Sequence, residues 1–205
     1  MIDTYEKLSI AKWQELLEIT NSGLVDEEKN IAVIALLADM TEDEVLNLPL
    51  TEFAKLNQGT AFLIDQPQKR LIAHTYILGN MEFEVLMDLT KMTTAQYIDY
   101  QNFIKDPDNN LAELISVFLI PKGKKYNDDY NIAEVHKLIR EHLSIVDAMS
   151  LSAFFLVLSQ ISIETTLTYS IKKMKRLMRK MKGGEREKMK QAITALETGG
   201  AGLLA

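Results

Sequence analysis

The sequence predicts a mostly α-helical α+β fold. Two similar helical units surround a small antiparallel β-hairpin or sheet, and a basic amphipathic helix follows at the C-terminal end. Three observations predict this arrangement. Apolar residues recur at helical spacing behind Ser and Thr capping residues over much of the chain. Two short apolar runs flank the Gly79-Asn80 pair, and Lys and Arg are concentrated after residue 165.

The first two helices are predicted from their ends. Ser9 is placed to cap a helix that runs to about Ile19, because its hydroxyl can accept from an unpaired N–H of the first turn. Gly23 suits the left-handed residue that closes a helix. Residues 24–39 form the second helix, and its acidic start suits the helix dipole.

The next two helices are short. Thr41 and Glu44 have the spacing of a capping box, in which each side chain bonds to the backbone N–H of the other residue. This helix is expected to end before Pro49, and Thr51 is expected to cap the helix that follows.

A β-hairpin is predicted near residues 59–89. The apolar runs 70–78 and 81–89 are joined by the Gly-Asn pair, which is typical of a tight hairpin turn. Phe83, Val85 and Met87 are expected to share one face of the second strand. An isolated hairpin is marginal in water, so two or three strands are expected to pack against helices.

The second helical half begins behind the hairpin. Thr93 or Thr94 caps a predicted helix on which Tyr97, Tyr100 and Phe103 share a face. The turn at residues 106–108 is placed to cap the next helix.

Four further segments complete this half. A strongly apolar helix is predicted over residues 111–119 and a loop over residues 121–125. A helix follows over residues 132–142. The last run begins at Ser144 or Asp147 and is expected to end near Ile163.

The order of elements is similar in two parts of the chain. Residues 8–19 match residues 92–103 in type at most positions, which favours an internal duplication of residues 8–58 and 92–163. The alternative is that capped amphipathic helices resemble one another without duplication. We therefore predict a globular domain over residues 1–165 and a separate arm over residues 166–205, with a flexible C-terminus.

Charge divides the chain in the same place. Residues 166–205 contain ten Lys or Arg and three Glu, a net charge of +7, so the whole-chain value of −6 leaves −13 for residues 1–165. An acidic body with a basic arm is typical of an interaction segment, and the alternative is a solvated helix face.

The arm is the predicted binding site, since Met and Leu alternate with cations at helical spacing. A basic amphipathic helix can dock on a partner groove, a membrane surface or an acidic protein. The candidate protein-binding residues are Ile171, Met174, Leu177, Met178, Met181, Lys172, Lys173, Arg176 and Arg179.

The sequence shows no pattern of catalytic or metal-binding residues, and no cofactor is predicted. The chain has no cysteine, and His74, His136 and His142 match no zinc spacing. The Gly183-Gly184 pair lacks the context of a phosphate loop. The apolar run 151–163 is shorter than the roughly 20 residues of a spanning helix, so it is interpreted as a buried helix. No membrane partner is expected.

One stretch resembles a known family. Phe83, Val85, Leu86, Met87, Asp88, Leu89, Met92, Thr93, Gln96, Tyr97, Ile98 and Asp99 are similar to a motif of small tailed-bacteriophage proteins. Leu8-Ser9 with Trp13 to Leu16 resembles that family's opening, and Val45 to Leu48 resembles a later segment. Met87 stands where the family often has proline, and Gln96 where it often has glutamate. The resemblance spans about residues 5–160 and excludes the arm.

Members of that family are tail assembly chaperones or virion structural proteins. The resemblance implies a non-enzymatic role in virion assembly, in which the chain binds the tape-measure protein or other tail components in the host cytoplasm. One alternative is a connector or ring protein that stays in the virion. Another is a nucleic-acid-binding protein that uses the basic helix, although Tyr169 is the arm's one aromatic residue and phosphate would repel the acidic body. Each of these three roles is compatible with a homo-oligomer.

Overall fold

The computed structural model describes residues 1–107, 109–128, 130–178, 187, 189–191 and 193–194, with the backbone alone over residues 158–171 and at 177. The described residues are mostly helical, with a small antiparallel sheet, which confirms the predicted α+β class. The chain forms two units, Met1–Ala153 and Phe154–Ala205.

Four helices open the first unit. They are α1 (Ile10–Asn21), α2 (Asp26–Ala38), α3 (Glu42–Leu46) and α4 (Leu50–Gly59). Ser9 caps α1 by accepting from the Lys12 N–H, and Thr41 and Glu44 form the predicted capping box of α3. α1 packs against α2, which also contacts α3 and α4. A short 3-10 helix at Ala61–Ile64 follows.

The sheet has three antiparallel strands in the order β1-β2-β3. β1 (Thr75–Leu78) and β2 (Met81–Val85) form the predicted hairpin, and β3 (Leu119–Pro121) pairs with the other edge of β2. Gly79 has φ 59°, and an added Cβ would lie 3.0 Å from a Leu138 methyl carbon, so the turn requires glycine. Phe83 and Val85 are buried whereas Glu82 and Glu84 are exposed, so one face of β2 is covered.

Four more helices complete the described fold. They are α5 (Thr94–Phe103), α6 (Leu111–Ser116), α7 (Ile132–His142) and α8 (Ile145–Met178). Thr93 caps α5 and Asn131 caps α7. α6 packs against α5 and α7, and α7 also contacts α1 and β1.

An isolated bridge between Ser9 and Ser144 joins two helix starts, those of α1 and α8. The Ile145 N–H donates to the Leu8 carbonyl at 2.7 Å, and the Ile10 N–H donates to the Leu143 carbonyl at 3.3 Å. Leu8, Ile10 and Ile145 are fully buried. The pairing therefore lies inside the core.

A buried polar cluster holds the irregular chain before β1 against the start of α8. Arg70 Nε donates to Asp147 Oδ1 at 2.7 Å, its Nη2 bonds to the other carboxylate oxygen, and its backbone N–H donates to Ser150 Oγ at 3.0 Å. Ser144 Oγ donates to the same carboxylate at 2.8 Å. The Asp147 carboxylate is thus paired despite its burial, as a buried charge must be.

Two predicted helix ends were wrong. Gly23 does not adopt the left-handed conformation: Ser22 closes α1 with extended backbone, because the chain must extend to reach α2. Asp39, at φ 55°, is the left-handed residue that closes α2. Thr51 lies inside the first turn of α4, and Pro49 precedes the helix instead, since its fixed φ and missing N–H suit a helix start.

The predicted face of α5 was partly wrong. Tyr97 is 51% exposed and Ile98 is 54% exposed, whereas Tyr100 and the polar Gln96 are buried. Gln96 Nε2 donates to the Val117 carbonyl at 2.8 Å, and Gln96 Oε1 accepts from the Thr93 N–H at 2.9 Å. Both ends of this amide are satisfied, which permits its burial.

The predicted helix over residues 111–119 ends at Ser116. Phe118 is in a turn, and its carbonyl accepts from the Leu86 N–H at 2.8 Å. Leu119 pairs with Val85 and begins β3, so pairing with β2 replaces the predicted last turn of the helix. The preceding turn does not cap α6 with a side chain: Asn110 occupies the cap position, and Asp108 lies outside the described residues.

The predicted end near Ile163 was also wrong. α8 begins behind Ser144, whose Oγ accepts from the Asp147 N–H at 3.1 Å, and continues as one helix to Met178. Residues 145–178 contain no Gly or Pro that would interrupt it. The domain boundary at residue 165 and the duplication of residues 8–58 and 92–163 stay predictions.

We expect Gln96→Ala to destabilise the chain by about 1–3 kcal/mol, because it leaves the buried Val117 carbonyl without its donor. Urea denaturation followed by the fluorescence of the single Trp, Trp13, measures this change. Gln58→Ala, at an exposed site of α4, is the matched control and should stay within about 0.5 kcal/mol of the unmodified chain. Equal free energies of unfolding for the two variants would contradict the assignment.

Candidate functional site

The predicted protein-binding residues lie at the C-terminal end of α8. Lys172, Lys173 and Arg176 are exposed, as is Lys175. Met174 and Met178 are half-buried and lie one helical turn apart. The structure thus places exposed cations next to flexible thioether side chains, which adapt to varied apolar partners.

The structure does not describe the side chains of the other predicted residues. Ile171 and Leu177 lie within α8, but their side chains are outside the description. Arg179 and Met181 lie outside the described residues. We use the name basic face for Lys172, Lys173 and Arg176.

A second surface feature, which sequence reasoning missed, is a cleft of about 620 Å³ along the junction of α1 and α2. The start of α3 closes one end of it, and Leu24 lies in the lining. We call it the α1–α2 cleft. Its lining residues are Lys12, Glu15, Ile19, Leu24, Ala32, Ala35, Leu36, Asp39, Met40, Thr41 and Glu42.

The cleft combines apolar side chains with carboxylates. Lys12 is its cation, and the Lys12 ammonium is already bonded to the Leu36 carbonyl at 3.0 Å and to the Asp39 carboxylate. This pairing holds the pKa of Asp39 below its usual value. Glu15 and Glu42 are exposed and form no ion pair within the part of the chain that the structure describes.

The surroundings of the cleft are strongly acidic. Residues 12–52 contain ten Asp or Glu against two Lys, a net charge of −8. A surface of one sign attracts an oppositely charged partner and raises its association rate. The sequence contained this signal as an acidic block, but the cleft itself forms only where residues of α1, α2 and the start of α3 come together.

A third feature is a half-buried polar cluster between α6 and α7. Arg140 Nη2 bonds to Glu113 Oε1, while Glu113 Oε2 and Arg140 Nε are buried without a hydrogen-bond partner within the described chain. His136, one turn from Arg140, packs edge-on against the ring of Phe103 at 6.4 Å between centroids. Burial lowers the pKa of His136, although the Glu113 carboxylate partly opposes this shift.

The described residues contain no group of three His, Cys, Asp or Glu side chains that could hold a metal ion. His74 immediately precedes β1, and His142 is the last residue of α7. Both are exposed. The features with functional potential are therefore the basic face and the α1–α2 cleft.

Comparisons with models of protein families, with curated proteins and with solved structures found no match to this chain. The resemblance to tail proteins therefore rests on the residues that carry it. Over the described part of the chain, no helix is both long and apolar enough to cross a membrane.

We expect the chain to lose stability as the pH falls below about 6.5, the ordinary pKa of histidine. Because burial lowers the pKa of folded His136, the unfolded chain binds more protons in this range. The contribution of His136 to the free energy of unfolding is fully present above pH 6.5 and is lost as the pH falls through the folded-state pKa. Urea midpoints at pH 7.5 and 5.5 measure the loss.

His136→Phe keeps an aromatic ring against Phe103 and should reduce the loss of stability between the two pH values. His142→Phe, at an exposed position of the same helix, serves as the control and should lose as much as the unmodified chain. A loss of the same size in the His136 variant would refute the assignment.

Proposed function

We propose that this chain is a phage tail assembly chaperone that binds the tape-measure protein or another tail component through the basic face. The single observation that carries the proposal is the exposure of Lys172, Lys173 and Arg176 beside Met174 on one helix. Such a surface suits a polypeptide that offers acidic and apolar side chains together.

Two features support the proposal. Exposed cations next to methionines can contact many client sequences, because the thioether chain repacks at low cost. The motif at residues 83–99 supplies the link to tail proteins. In the structure its residues form β2, the connection to α5 and the capped start of α5.

Co-expression with the tape-measure protein tests the proposal. We expect the intact chain to increase the soluble fraction of that client. The variant Lys172→Glu/Lys173→Glu/Arg176→Glu should bind the client at least about tenfold more weakly, a difference of about 1.4 kcal/mol. The matched control reverses three exposed lysines of the first unit, Lys105, Lys124 and Lys125.

Client solubility that does not change when the chain is co-expressed would contradict the proposal. So would equal effects of the two triple variants. Mass spectrometry of purified particles separates a chaperone, which leaves the assembly, from a connector or ring protein, which stays in the virion.

A nucleic-acid-binding role is the second candidate, since the basic face also offers the charge that phosphates require. Such a protein would bind DNA or RNA with an affinity that falls steeply as the salt concentration rises. We expect no such affinity, because the other unit carries the larger charge of opposite sign.

A further inference from the structure

We propose that the α1–α2 cleft of one copy binds the basic face of a second copy, so that the chain associates head to tail. The two surfaces are different, so the contact is heterologous and can continue into chains or rings. This inference concerns self-association and does not depend on the identity of any client.

Charge is the first argument for this occupant. Glu15 and Glu42 on the cleft are exposed and lack ion-pair partners in the described chain, and the nearby Lys12 is already paired with Asp39. Lys172, Lys173 and Arg176 supply cations on the other surface. The cleft lining contains three carboxylates and one lysine, a net charge of −2, and the basic face carries +3, so the two surfaces are opposite in sign.

Apolar chemistry is the second argument. Ile19, Leu36 and Met40 line the cleft and remain partly exposed, so they have apolar surface left to cover. Met174 and Met178 carry the apolar side of the partner surface. Burial of such surface contributes about 25 cal/mol per Å², and charge complementarity fixes the orientation.

Length is the third argument. Lys12 and Ile19 are seven residues apart on α1, as Ala32 and Asp39 are on α2, so the cleft spans about two helical turns, or about 10 Å. Lys172 and Met178 are six residues apart on α8, or about 9 Å. A segment of this size therefore matches the extent of the cleft.

Two charge-reversed forms of the full chain test the proposal. The cleft variant is Glu15→Lys/Glu42→Lys, and the face variant is Lys172→Glu/Lys173→Glu/Arg176→Glu. Glu52→Lys/Glu134→Lys is the matched control for the cleft variant, because both residues are exposed, lie in the first turn of a helix and are outside the cleft lining. Far-UV circular dichroism verifies that each form is folded.

Sedimentation velocity over a range of concentrations measures the association. We expect the unmodified chain and the control to form dimers and larger species, and each charge-reversed form alone to associate at least about tenfold more weakly. Association of the unmodified chain should weaken between low and high salt, because salt screens exposed charges.

Mixing the two charge-reversed forms gives the deciding result. The face variant keeps an intact cleft and the cleft variant keeps an intact basic face, and their two reversed surfaces are also opposite in charge. The mixture should therefore associate, whereas each form alone associates weakly. An unmodified chain that stays monomeric, reversals that do not alter association, or a mixture that does not associate would each overturn the proposal.

Discussion

The pairing of residues 8–10 with residues 143–145 is the constraint on which the first unit depends. It places the N-terminal ends of two helices side by side, and one of its two segments directly follows the end of α7. The carbonyl of Leu8 and the N–H of Ile145 are taken from water together, so their 2.7 Å hydrogen bond satisfies groups that would otherwise be costly to bury. The pairing fixes the start of α1, and α1 packs against α2 to form the cleft.

Polar side chains extend the same constraint into the irregular chain before the sheet. Ser144 makes two hydrogen bonds to Asp147 at the start of α8. Its Oγ accepts from the backbone N–H of Asp147 and donates to the Asp147 carboxylate. The guanidinium of Arg70 completes that carboxylate's set of partners. A segment without regular structure is thereby held at a defined place, and the hairpin that follows it begins from a fixed point.

Local signals were sufficient for much of the fold, and the exceptions have a common cause. Three helix starts could be predicted from Ser9, Thr41 and Thr93, and the hairpin could be predicted from the Gly-Asn pair. These predictions succeed because capping and turn formation involve neighbours in sequence. The burial of Gln96 depends on a carbonyl 21 residues away, so no periodicity could reveal it. The third strand likewise depends on its partner β2. The basic face was visible because one helix contains it, whereas the cleft exists only where two helices meet.

The bridge that joins residues 8–10 to residues 143–145 is assigned the role of fixing the helices of the first unit. Amide hydrogen exchange on the full chain tests that assignment most directly. We expect the amides of Ile10 and Ile145 to exchange only when the whole unit unfolds, in contrast to the Glu52 amide, which bonds to Pro49 at the exposed start of α4. Exchange of Ile10 and Ile145 as fast as that of Glu52 would show that the bridge opens locally and would contradict the account.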